Sequence, residues 1–353
     1  MIAPKLAPFD TFRLKNKRNT QDAMMSKLIV FNLFIAIWQF ENGSNPLQSI
    51  RSRIIIWLIK NRHLFELKLR PEVIDENFSV AKFRKGVDRA TARMKMPEDV
   101  GYEALKIKDM SAEWIIPENP KEEKALLYIH GGGFISGSCK THRMHVAKFA
   151  KGTRLKSLLF DYRLAPEYPF PAGLEDCVDA YNWLLDQGYK SKNIIVGGES
   201  AGGTLTLSLL LALKERGIRF PKAAFSISPV TDLRCKADSF AYNAKNDITP
   251  TGSWDVWMNL YIGDTDPTSP LLSPQFGNYA GLPPFLVCVG THEIHLDDCI
   301  NVAKRAEEHG VEVTLSKWDK MVHAFPIMAP LFPEAKEALN EICEYAVRHV
   351  ENE

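Results

Sequence analysis

Short apolar runs alternate with amphipathic stretches from about Ala104 onward, and that alternation predicts strands interleaved with helices. Ala104–Lys108 and Glu113–Ile116 read as a strand pair with a turn near Asp109. Ala125–Ile129, Ser157–Phe160, Asn193–Val196, Ala223–Ile227, Phe285–Val289 and Val311–Ser316 read as further strands. Between and after them, His142–Ala150, Leu174–Leu185, Thr204–Arg216, Asp298–His309 and Glu334–Val350 read as helices, the third closed by Gly217. Repeated β–α units predict an α/β fold, a mostly parallel sheet covered by helices on both faces. A turn-rich stretch from about Leu233 to Gly281, carrying Trp254, Trp257 and Tyr261, interrupts the alternation and reads as an excursion from the sheet.

The first hundred residues have a different texture. Leu28–Phe40 and Ile54–Ile59 are helical apolar runs separated by the turn-rich Glu41–Pro46, and a polar, basic stretch follows to about Pro97. Residues 1–100, with 235–280 contributing, are expected to form a helical cap over a catalytic core at 101–353. Leu28–Phe40 is too short, and with Asn32 and Gln39 too polar, for a spanning helix. It is expected to be a buried lid or interface helix, with contact at a membrane surface as the alternative.

Composition narrows the class. The 353 residues are 45% hydrophobic and 25% charged, which suits a globular protein with a sizeable core. Net charge is +1, so nothing global points to nucleic acid. The charge is unevenly spread, with 18 Lys+Arg against 10 Asp+Glu in residues 1–100. Six cysteines without C-x-x-C spacing are expected to be reduced thiols in a cytoplasmic protein, with Cys288 a small core residue.

The chemistry centres on Gly198-Glu199-Ser200-Ala201-Gly202, set between a predicted strand and a predicted helix. A sharp strand-to-helix turn lifts a serine Oγ above the sheet, and small residues two before and two after relieve the crowding. Serine needs a base to take its proton and a third group to orient that base. His323 follows the last predicted strand, and Glu293, Asp297 and Asp298 follow the strand before it. Ser…acid…His is the order of α/β-hydrolases. Proximity to the strand end favours Glu293 as the acid, since Asp297 or Asp298 could equally cap the next helix. The run His130-Gly131-Gly132-Gly133-Phe134 follows another strand and frees backbone N–H groups for a developing oxyanion. Gly131 and Gly132, with Ala201, are the expected donors. The pairs His292/His295 and His142/His145 lack a third ligand at metal spacing, so no metal is expected.

HGGGF at 130–134, Asp161–Glu167 (DYRLAPE), the G-x-S-A-G-G of Gly198–Gly203 and Gly281-Leu282-Pro283-Pro284 together resemble the hormone-sensitive-lipase-like α/β-hydrolases, the bacterial family IV esterases. The resemblance covers Ala104 to the C-terminus. It implies an eight-stranded, mostly parallel sheet under a helical cap, with Ser200 as nucleophile, His323 as base and Gly131, Gly132 and Ala201 as oxyanion donors. It also implies that His130 is structural and that Asp161–Glu167 braces the glycine loop. The family's D-P-L-x-D acid motif stands here as Glu293-Ile294-His295-Leu296-Asp297, which aligns Glu293 with the acid.

The expected function is a serine carboxylic-ester hydrolase for short- to medium-chain acyl esters, needing no cofactor, with Phe134, Trp254 and Trp257 as pocket walls. The alternatives are an amidase or deacetylase of small acylated molecules, a lipase associating with lipid surfaces through 28–40, and a non-catalytic receptor on the same fold. A homodimer is expected only by analogy.

Overall fold

The computed structural model describes residues 48–65, 74–75, 77–92, 94–250 and 252–351. The reading of Leu28–Phe40 therefore lies outside the described residues.

Eight strands form one sheet: β1 (Val100–Ile107), β2 (Met110–Pro117), β3 (Ala125–Ile129), β4 (Lys156–Phe160), β5 (Ile194–Glu199), β6 (Ala223–Ile227), β7 (Phe285–Gly290) and β8 (Val313–Trp318). Their order is β1-β2-β4-β3-β5-β6-β7-β8. The β1–β2 and β2–β4 pairings are antiparallel and the remaining pairings are parallel. β3, β5, β6 and β7 are buried along their whole length, as expected where helices cover both faces.

Strand ends differ from the sequence reading for physical reasons. β1 starts at Val100, four residues earlier than expected, because Gly101–Ala104 is exposed on an edge strand and carries no apolar signature. β5 continues past Val196 through Gly197 and Gly198 to Glu199. A Cβ at Gly197 would sit 2.1 Å from the ring of Phe225 on β6, so the glycine makes room for the neighbouring strand's aromatic.

The helices are α1 (Ile50–Lys60), α2 (Arg62–Phe65), α3 (Val80–Thr91), α4 (Cys139–Thr153), α5 (Ala172–Asp186), α6 (Ala201–Glu215), α7 (Ser239–Tyr242), α8 (Ser253–Ile262), α9 (Leu296–Glu308) and α10 (Pro333–Glu351). α3 falls in the stretch read as merely polar and basic. Its Val80, Phe83 and Val87 lie at i, i+3 and i+7 and are half-buried, a narrow stripe on an otherwise charged helix. α6 ends where expected: Ile218 N–H reaches Leu213 O at 2.9 Å and Gly217 N–H reaches Lys214 O at 3.2 Å, with Gly217 at φ +65°. That pair of bonds is a Schellman close, which requires a left-handed residue at position 217. Between β6 and β7 the chain leaves the sheet to form α7, α8 and a 3₁₀ turn at Pro274–Phe276.

No helix among the described residues is long and apolar enough to cross a membrane. All six cysteines are free, and Cys288 is fully buried in β7.

α4 opens directly behind the glycine loop. Ser138 caps it, its Oγ accepting from Thr141 N–H while Thr141 Oγ1 accepts from Ser138 N–H. Ser138→Ala is expected to lower the urea-unfolding free energy by about 1 kcal/mol, read from the midpoint at unchanged slope.

Candidate active site

The turn between β5 and α6 holds Ser200 at φ 56°, ψ −124°, a backbone conformation costly for a residue with a side chain. Two glycines make that turn possible. A Cβ on Gly202 would lie 2.0 Å from Ile129 O, and one on Gly198 would lie 2.5 Å from the same carbonyl. The elbow therefore sits hard against the end of β3, where the glycine loop begins. Ser200 N–H donates to Ile227 O at 2.7 Å, pinning the turn to β6 as well.

His323 approaches from the loop after β8, its Nε2 2.9 Å from Ser200 Oγ. Its Nδ1 lies 3.3 Å from Glu293 Oε2, in the loop after β7. Glu293 is fully buried. Its other oxygen accepts from Gly290 N–H at 2.6 Å and from the Ser228 hydroxyl at 2.9 Å. Burial pushes the Glu293 carboxyl up, and the bonds to His323 and Gly290 pull it back without cancelling the rise. For His323 burial works downward, but the hydrogen bond and charge of Glu293, with the charges of Asp247 and Glu199, leave it above the ordinary histidine value.

The other two acids are engaged elsewhere. Asp297 accepts from Ser239 N–H and the Tyr242 hydroxyl, both at 2.8 Å, from the two ends of α7. Asp298 accepts from Thr231 N–H at 3.0 Å and is pushed up to about 7, chiefly by burial. Neither caps α9: the cap position is His295, and the two aspartates lie in the first turn, where the helix dipole favours them.

The glycine loop corrects one expected donor. Gly131 N–H donates to Glu199 Oε1 at 2.7 Å, so it is turned down beneath the elbow. Among the described residues, the N–H groups of Gly132, Gly133 and Ala201 have no acceptor. Gly132 at φ +121° and Gly133 at φ +63° adopt conformations that glycine takes at no steric cost.

Of the expected wall residues, Phe134 is buried, stacked on Tyr261 with ring centroids 3.9 Å apart. Trp257 packs on Gly133, where a Cβ would meet its ring at 2.6 Å. Trp254 lies edge-on to His323 at 6.0 Å and to His295 at 4.3 Å. Among the described residues, Glu293, His295 and His323 are the group whose metal-capable atoms converge, within 4.8 Å of one another. His142 instead faces Glu199 at 3.2 Å and His145 faces Ile327 O at 3.2 Å.

The Asp161–Glu167 segment does brace the loop. Tyr162 donates its hydroxyl to His130 O at 3.0 Å and stacks on the His130 ring, Ala165 N–H donates to Phe134 O at 3.0 Å, and Asp161 accepts from Cys139 N–H. Burial takes His130 down to about 3, consistent with a neutral structural ring.

Two residues of the site had no signal in the sequence. Glu199 is the variable position of the pentapeptide, and its partner Gly131 lies 68 positions away. Ser228 follows β6 with φ +50° and bridges both loops, donating to Glu293 and accepting from Ala324 N–H at 3.0 Å.

A serine on a strained strand-to-helix turn, linked through histidine to a buried acid beside open backbone N–H groups, defines a hydrolase of the α/β type. The comparisons agree. Residues 126–327 match the family described as alpha/beta hydrolase fold. An acetyl-hydrolase of Streptomyces hygroscopicus is 34% identical over 280 residues, covering 78% of this chain and 93% of that protein. An esterase of Acinetobacter venetianus is 38% identical over 223 residues, covering 63% of this chain and 74% of that one. Among solved structures, an esterase/lipase from an uncultured bacterium superposes with TM-score 0.80 at 34% identity, covering 86% of this chain and all of that one. An esterase of the bacterial hormone-sensitive lipase family gives 0.79 at 35% identity, covering 86% of this chain and 99% of that one. The chain belongs to the alpha/beta hydrolase fold family, within its hormone-sensitive-lipase-like group of carboxylesterases.

Ser228→Ala removes the donor to Glu293 and the acceptor of Ala324 N–H together. It is expected to cost about 1–3 kcal/mol of stability and to lower kcat by about tenfold with KM little changed, measured by thermal unfolding and steady-state kinetics.

Proposed function

We propose that this carboxylesterase hydrolyses short- to medium-chain acyl esters of small molecules through an acyl-enzyme on Ser200. Ser200 Oγ attacks the ester carbonyl while His323 Nε2 takes its proton. Glu293 holds the imidazole through Nδ1 and stabilises its positive form. The N–H groups of Gly132, Gly133 and Ala201 face the developing oxyanion, a set shifted one residue along the loop from that expected. His323 returns the proton to the leaving alcohol, and a water then repeats the sequence on the acyl-enzyme.

The 2.9 Å contact between His323 Nε2 and Ser200 Oγ carries this reading, because it puts the base within hydrogen-bond reach of the proton it takes. The assignment of the acid rests on the fully buried Glu293 facing Nδ1, while Asp297 and Asp298 are held by other partners. α3 and residues 235–280 act as the cap: Phe83 lies 5.6 Å from Trp257, and Trp257 covers Gly133. One structural neighbour was soaked with p-nitrophenyl butyrate, which makes short p-nitrophenyl esters the natural first substrates.

The test is hydrolysis of p-nitrophenyl esters of graded chain length. Ser200→Ala is expected to lose at least about 10³-fold in kcat, and full activity in that variant overturns the mechanism. Glu293→Gln is expected to lose about 10²–10⁴-fold, because an amide neither stabilises the imidazolium nor fixes its tautomer.

The pH profile follows from His323. The base works only when neutral, and its anionic neighbours hold it above the ordinary histidine value, so kcat/KM falls on acidification at a higher pH than an ordinary histidine would give. Glu293→Gln removes the anion that favours the protonated ring, so the residual activity's acidic limb moves to lower pH. A limb that stays in place removes Glu293 as the partner.

A further inference from the structure

Asp247 belongs to the excursion between α7 and α8, yet its buried carboxylate reaches both loops of the site. Oδ1 accepts from His323 N–H at 3.1 Å and from Ile248 N–H at 2.7 Å. Oδ2 accepts from Ile294 N–H at 3.0 Å, the residue next to Glu293. One carboxylate thus joins the backbone of the acid loop to the backbone of the base loop. The same segment grips the acid loop a second time, with Asn243 Nδ2 donating to Thr291 O at 2.9 Å and to Glu293 O at 2.8 Å.

The segment is itself held from the N-terminal side. Lys60, at the end of α1, points its ammonium at the carbonyls of Lys245 and Asn246, the latter at 3.1 Å. Arg62 adds a contact to Ile248 O at 3.3 Å. A turn made rigid by a cation on its carbonyls presents its carboxylate in a fixed place, which a loop left to itself does not do.

We propose that Asp247 is a positioning residue that ties the Glu293 loop to the His323 loop, with Lys60 of α1 locking it in place. The proposal rests on the reading of Ser200, His323 and Glu293 given above. Asp247 touches no reacting atom. It fixes the separation of acid and base, and its negative charge also favours the protonated form of His323.

The groups facing His323 are Glu293 from the loop after β7, Glu199 from the elbow, Asp247 from the excursion and the ring of His295 from the start of α9, 4.9 Å away. Those facing Asp247 are Lys60 from α1 and, from the acid loop, His292 and Glu293. Asparagine at 247 keeps the shape but replaces one acceptor by a donor, which opposes an N–H on one of the two loops, and it removes the charge.

The experiment compares wild type, Asp247→Asn, Lys60→Met and Ser200→Ala on p-nitrophenyl butyrate from about pH 5 to pH 9, a range chosen to span the histidine limb. For the proteins that keep Ser200, rates are expressed per site titrated with a serine-directed phosphonate, so unfolded protein does not count, and for Ser200→Ala they are expressed per folded protein. Asp247→Asn is expected to lower kcat by about tenfold or more, to leave KM within about twofold, and to move the acidic limb to lower pH. A residue that merely stabilised the fold would shift the melting temperature and leave that limb where it is. Lys60→Met, which keeps the carboxylate, is expected to lower kcat by about two- to fivefold.

Asp247→Asn with kcat within twofold of wild type, or with an unmoved limb, overturns the proposal. If Asp247→Asn yields no folded protein, Lys60→Met decides, and an unchanged kcat there overturns the lock. Full activity in Ser200→Ala is a different failure, since it removes the mechanism and not only the tie.

Discussion

The site depends on how closely the turn after β5 approaches the end of β3. Gly202 and Gly198 both press on Ile129 O, at distances no Cβ could accept. That contact brings the nucleophile turn and the glycine loop together without any side chain between them. Glu199, the residue before the nucleophile, then reaches Gly131 N–H and joins the two loops electrostatically. Substitution of either glycine would separate Ser200 from its donor loop before it touched any catalytic side chain. The strain at Ser200 belongs to the same turn, whose backbone at φ 56° and ψ −124° is held while Oγ lies 2.9 Å from His323 Nε2.

Buried charge is the second constraint, and it is handled by distribution. Glu293, Glu199 and Asp247 surround His323, and each is partnered by backbone N–H groups or by another polar side chain. Burial opposes ionisation of Glu293 and of His323 alike, yet the imidazole ends more basic than usual because the anions around it outweigh the loss of water. Asp298 is in no ion pair among the described residues, and burial takes it up to about 7.

The parallel strands were legible because their apolar runs are short and bounded by turn residues, as at Ala223–Ile227, whose limits agree at both ends. Ser200, Glu293 and His323 were legible for a related reason. Each lies just past a strand, and strand ends on one edge of a parallel sheet converge. Local pattern could not reveal what depends on long-range approach. The exchange of Gly131 for Gly133 among the open donors turns on a carboxylate 68 residues away, and the three glycines are identical as letters. α3 escaped notice because its three half-buried apolar residues are diluted by Lys, Arg and Asp, so its stripe gains meaning only against Trp257.

The excursion between β6 and β7 makes contacts that its sequence did not signal. It reads as a lid, an element outside the sheet whose business is substrate entry. Trp254 and Trp257 fit that role, but Ser239, Asn243 and Asp247 do not. Ser239 donates to Ile294 O at 2.6 Å, Asn243 donates to Glu293 O, and Asp247 accepts from Ile294 and His323 N–H. These bonds face backward, into the loops that carry acid and base. The half of the excursion before α8 is therefore bonded to the loops of Glu293 and His323, whereas Trp257 of α8 packs on the glycine loop.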